Sequence, residues 1–161
     1  MAGHHRLTLR GGEAGAGRRL ADLVAALAGT GGLDARRSYW LRLAVDEITT
    51  NIGQHGYRGQ GGLVEIEGAV EPDRVWVRIT DEAPPFDPHS HDPGPRLADG
   101  VAHDGEGGLG LYLALNGLDR LDHTYVDGRN VNTLVMERHV GEVQDTDGGT
   151  HGGDDRAGGG G

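Results

Sequence analysis

The sequence predicts an α+β two-layer sandwich, in which a mixed, mainly antiparallel sheet is covered on one face by about three helices. Three observations predict it. Five short runs alternate apolar and polar residues, three longer stretches carry apolar residues at helical spacing, and the two kinds follow one another as β, α, α, β, β, α, β, β.

His5 to Leu9 alternates with Leu7 and Leu9 on one side, which suits an opening strand at a sheet edge, and Gly11 to Gly17 is a flexible connection. Leu20, Leu23, Val24 and Leu27 make the Arg18 to Leu27 stretch an amphipathic helix that Gly31-Gly32 ends. Arg18 and Arg19 open it, where the helix dipole disfavours cations, so they are either solvated or face a partner. Asp34 is placed to cap a second helix running to about His55 and stopping at Gly56. Its stripe is Leu41, Val45, Ile48 and Ile52. Glu47 and Asn51, four residues apart, share a face at the edge of that stripe, where a carboxylate and a carboxamide can meet a hard cation and a reacting hydroxyl.

Leu63 to Val70 and Arg74 to Thr80 form a hairpin around Glu71-Pro72-Asp73, and the second strand runs straight into Asp81-Glu82-Ala83-Pro84-Pro85-Phe86-Asp87-Pro88. Residues 89–106 have no period, the mark of a long functional or disordered loop, and His89, His91 and His103 within it follow no metal-ligand spacing. Gly107-Gly108-Leu109-Gly110 then opens a helix from Leu111 to Leu118, with Leu111, Leu115 and Leu118 as its buried stripe. Glycines there let backbone approach a ligand, and first-turn N–H groups favour an anion such as phosphate. Leu121 to Val126 and Val131 to Arg138 flank Asp127-Gly128-Arg129-Asn130, a strong hairpin signal. Residues 1–140 thus read as one domain. The Gly- and Asp-rich stretch at 141–161 has too little apolar surface to order itself.

Composition narrows the function. A net charge of -10 with only 15 Lys and Arg argues against broad binding to nucleic acid or to anionic membranes. The absence of Cys removes disulfides and thiolate chemistry. No apolar run reaches the roughly 20 residues of a spanning helix, so a soluble cytoplasmic protein is the default expectation.

Glu47 and Asn51 on a helix, Asp81 after a hairpin, and a glycine-opened helix after a long loop stand in one order. That order resembles the GHKL (HATPase_c) ATPase superfamily, and most nearly the small anti-sigma factor serine kinases of the SpoIIAB and RsbW type. The resemblance runs from about Leu7 to Arg138. LRLAVDEITTNIGQHGY looks like the family's N box, and ITDEAPPFDP with GEGGLGLYLALNGLDRLDH looks like its G1 and G2 boxes. It implies a Bergerat-type ATP-binding fold and gives residues roles. Asn51 would ligate magnesium, Glu47 would act as general base, and Asp81 would accept a hydrogen bond from the adenine amino group. Gly107, Gly108, Leu109 and Gly110 would hold the triphosphate, residues 89–106 would form the lid, and Thr133 would lie near the adenine. One position departs: the G1 box usually has glycine two residues after its aspartate, and here Ala83 stands there, followed by Pro84-Pro85. Its methyl group either rests on ordinary backbone angles or narrows the adenine pocket.

The implied function is an ATP- and magnesium-dependent serine/threonine protein kinase that holds a sigma factor and phosphorylates a STAS-type antagonist protein. Partners would dock near the first helix and the lid, and family members pair as homodimers through the sheet or that helix. The alternative is a nucleotide-gated binding module with little transfer, which Glu47 disfavours and Ala83 mildly favours. The ATPase half of a histidine kinase is a weaker expectation, because no helical dimerisation and phospho-acceptor segment is present.

Overall fold

The computed structural model describes residues 3–90 and 109–139. Gly107, Gly108, His91, His103, nearly all of the 89–106 loop and the 141–161 stretch lie outside them. The elements run β1 (His5–Arg10), α1 (Ala16–Gly31), α2 (Ala35–Asn51), β2 (Leu63–Val70), β3 (Arg74–Asp81), α3 (Leu109–Asn116), β4 (Arg120–Val126) and β5 (Arg129–Glu137). The strands form one sheet in the order β1-β2-β3-β5-β4. All of its pairings are antiparallel, so the mixed character expected from sequence is corrected to a purely antiparallel sheet among the described strands. Two hairpins, β2–β3 and β4–β5, dock through β3 and β5, and β1 closes the edge against β2.

The helices cover one sheet face. Leu27 of α1, Leu41 and Val45 of α2 and Leu111 of α3 meet Ile66, Ile79, Leu134 and Met136 of the sheet in a continuous core of almost fully buried side chains. Each such side chain contributes about 1.5–3 kcal/mol on burial.

Asp34 caps α2 as its sequence position suggests, with Oδ1 accepting from the Arg37 N–H at 2.7 Å. α1 is longer than the apolar stripe implied, because Ala28 is also buried and nothing breaks the helix until Gly32. Gly32 takes the left-handed conformation at φ 65° and donates back to Ala28 and Gly29. Beyond Asn51 the backbone widens into a π-helical turn, Ile52–Gly56, closed by the Tyr57 N–H donating to the Ile52 carbonyl at 2.8 Å. The β4–β5 turn has left-handed angles at both Asp127 (φ 52°) and Gly128 (φ 76°), the geometry that matches strand twist in a two-residue hairpin. α3 starts earlier than expected, at Leu109. Ala114 rather than Leu115 is its fully buried partner to Leu111, and Leu118 is buried just beyond the helix end.

Candidate functional site

A cavity of about 200 Å³ opens where the end of α2 faces the ends of β3 and β5. Asn51, Ile52 and Gly56 line it from the helix, Asp81, Asn130 and Asn132 from the sheet, and Ala83 to Phe86 from the following loop. A larger cleft of about 670 Å³ between β1, α1 and α2 contains none of the predicted site residues.

Asp81 ends β3 facing the core layer and is 2% exposed. Its Oδ1 accepts from the Ala83 N–H at 2.9 Å and from Asn130 Nδ2 at 3.0 Å. Oδ2 accepts nothing from the described residues, which leaves one carboxylate oxygen for a ligand. Burial pushes the carboxyl pKa up, against the Asn130 and Ala83 hydrogen bonds and the charge of His123, which favour the ionised form.

Asn130 is equally buried and belongs to the same network. It stands opposite Asp81 in the β3–β5 register. Its second amide hydrogen is shared between the carbonyls of Ala83 (3.0 Å) and Pro84 (3.1 Å), while its oxygen accepts from the Phe86 N–H at 3.0 Å. Next along the core-facing edge, Asn132 accepts from His123 Nδ1 at 2.9 Å. Tyr57 braces the other side: its hydroxyl donates to the Leu63 carbonyl at 2.6 Å and accepts from the Glu82 N–H at 2.9 Å. Burial raises the Tyr57 pKa, which keeps the hydroxyl protonated for that donation. His89 is the middle residue of a short 3₁₀ turn, Pro88–Ser90, and donates from Nε2 to the Leu121 carbonyl at 2.8 Å, since a carbonyl can only accept.

Ala83 is reached by the chain without left-handed backbone angles. Its methyl group points at Gly56: a Cβ built on Gly56 would lie 2.8 Å from the Ala83 Cβ. The alanine therefore occupies room left by the absent side chain at Gly56.

Glu47 lies one turn of α2 before Asn51 and is half-buried against the opening turn of α3. A Cβ at Gly110 would come within 2.7 Å of its Oε1 and 2.9 Å of its Oε2. A side chain at Gly110 would oblige that carboxylate to shift from its place beside the helix start, where the dipole favours it. Leu109 is exposed at the same opening turn. Thr133 is placed elsewhere. Its register partners are Arg78 and Asp122, on the face of the sheet away from the helices, and Asn132 beside it lines the cavity instead. Strand alternation forces this, since neighbours along a strand face opposite ways.

Comparison with known proteins matches residues 13–138 to the Histidine kinase-like ATPase domain family. The chain belongs to that family. Among its relatives, the serine-protein kinase RsbW of Bacillus subtilis (strain 168) is 35% identical over 112 residues, covering 66% of this chain and 68% of the relative. That of Listeria monocytogenes serotype 4a (strain HCC23) is 32% identical over 111 residues, covering 65% and 67%. The matched span of this histidine kinase-like ATPase chain contains Glu47, Asn51, Asp81 and Gly110 together, and thus both walls of the cavity. Among its described residues no helix is long and apolar enough to cross a membrane.

Proposed function

We propose that the chain is an ATP-dependent serine/threonine protein kinase of the anti-sigma factor type, which binds a sigma factor and phosphorylates a STAS-type antagonist. The observation that carries this reading is that Asp81 and Asn51 line one cavity while Glu47, one helical turn before Asn51, has its carboxylate against Gly110 at the start of α3.

At the cavity end, Asp81 Oδ2 accepts from the amino group of adenine, and Ala83 to Phe86 wall the ring. At the other end, the Asn51 carboxamide oxygen is a hard donor of the kind magnesium takes, with further ligands drawn from substrate phosphates and water. Magnesium held by Asn51 would partly neutralise the charge of the phosphoryl group transferred from ATP. Backbone N–H groups at the start of α3, Leu109 and Gly110, would donate to the phosphates, as the resemblance also implies for Gly107 and Gly108. Glu47 accepts the proton of the serine or threonine hydroxyl as its oxygen bonds to the γ-phosphorus, the bond to the bridging oxygen breaks, and ADP leaves. Gly110 leaves room for the Glu47 carboxylate.

Serine-protein kinases among the relatives support the reading. Ala83, which favoured a binding module without transfer, rests on ordinary backbone angles and fills space beside Gly56. Protein partners dock beside α1, where Arg18 and Arg19 are exposed on the first turn. Incubation of the chain with labelled ATP, magnesium and a STAS-type protein tests the proposal: label on a serine or threonine of that protein is expected. Nucleotide binding with no transfer to any STAS-type candidate would favour the gated binding module.

A further inference from the structure

Asn130 takes no part in the chemistry above, yet one side chain of this buried residue carries hydrogen bonds to four different residues around the cavity. A carboxylate on a freely turning side chain offers two equivalent oxygens. At Asp81 that equivalence is broken, because Asn130 and the Ala83 N–H both engage Oδ1 and so fix the plane of the group. The same amide grips the carbonyls of Ala83 and Pro84 and receives the Phe86 N–H, so the wall of the cavity is held in register with the carboxylate. The β4–β5 turn sets the register of that hairpin, and docking of β5 on β3 puts Asn130 opposite Asp81.

We infer that Asn130 is the positioning residue that makes this cavity select a 6-amino purine, by presenting Asp81 Oδ2 as the one open acceptor at a fixed distance from the loop wall. The inference rests on the nucleotide reading of the site. A ligand with a hydrogen-bond donor at the purine 6-position satisfies Oδ2; one with a 6-oxo group sets two acceptors against each other and leaves both without a partner. Without the amide, Asp81 can rotate and the loop can shift, and the distinction weakens even where the fold survives.

The test is calorimetric titration of the full chain, in its wild-type, Asn130→Ala and Asn130→Asp forms, with ADP and with inosine diphosphate at one magnesium concentration. Wild type is expected to prefer ADP. Asn130→Ala should reduce the ratio of the two affinities about tenfold, with most of the loss on ADP. Asn130→Asp keeps the shape but faces one carboxyl with another, so the pair shares a proton and the ADP preference is lost at a higher pH than in wild type. His123, Tyr57 and Glu82 beside Asp81, and His55 and Arg58 across the cavity, are unchanged in both variants. A residue with only a structural role would lower the melting temperature and leave the ratio intact. If Asn130→Ala does not fold, the pH profile of Asn130→Asp decides. An unchanged ratio in a folded Asn130→Ala, or an unshifted profile in Asn130→Asp, overturns the inference and leaves the site standing. Failure of the wild type to bind ADP overturns both.

Discussion

At the Asp81 end of the cavity the polar groups of Asp81 and Asn130 lock one loop and one carboxylate into a single arrangement, and both residues are 2% exposed. At the Glu47 end, Glu47 and Asn51 are half-buried on a helix face, and no hydrogen bond joins either side chain to another described residue. The first region is bonded internally, while the second presents two oxygen-bearing side chains that the proposed reading assigns to a cation and a reacting hydroxyl. On the proposed reading, recognition of the base is built into the fold, whereas the transfer geometry is completed by substrate. Buried, preorganised groups lose little freedom on binding, and half-exposed donors lose more.

The contrast is sharpest under substitution. Glu47→Ala should lower phosphoryl transfer about 10²- to 10⁴-fold in a single-turnover assay while ADP affinity stays within about twofold. A comparable fall in both would merge the two ends into one.

Asp81→Asn should act the other way. Its oxygen can keep the Ala83 and Asn130 bonds, and its amino group then faces the cavity where Oδ2 stood. ADP affinity is expected to fall about 10- to 100-fold. The preference should turn toward inosine diphosphate, read by calorimetry.

The Gly56 and Ala83 contact probes the wall. Gly56→Ala should destabilise the fold by about 1–3 kcal/mol in urea unfolding, since the two methyl groups cannot share that space. Adding Ala83→Gly should recover much of the loss, and simple additivity would show that the two positions do not compete.

The smallest effect is on pH dependence. Because the folded pKa of Asp81 is raised, the native state holds the proton more tightly than the unfolded chain. Its contribution to stability is therefore present below the ordinary value of 3.8 and is lost as pH rises through the raised folded value. ADP binding should run oppositely, weakening as acid protonates Asp81. Asp81→Asn should flatten both trends.

Much of this was legible in the sequence because local chemistry dictates it. The Asp34 cap, the Leu41 to Ile52 stripe, both hairpins and the placing of Asp81 at a strand end depend on neighbours a few residues away. Asn132 was legible in part: it is in phase with the inward-facing Leu134 and Met136, a period of two that also turns Thr133 outward, whereas Asn130, read as part of the turn, belongs to a strand that already begins at Arg129. That Asn130 meets Asp81 depends on how β5 docks on β3, a contact between distant segments with no local signal. The π-helical turn at Ile52–Gly56 and the fit of Ala83 against Gly56 likewise arise from packing, which motif spacing does not encode.

The most direct measurement is calorimetric titration of the full chain and of its Asp81→Ala variant with magnesium ADP, each first checked for an intact fold by circular dichroism. Saturable binding by the wild type, lost or greatly weakened in a folded Asp81→Ala, is the expected result. Equal binding by both, or none by the wild type, would contradict the assignment of this cavity as the nucleotide site.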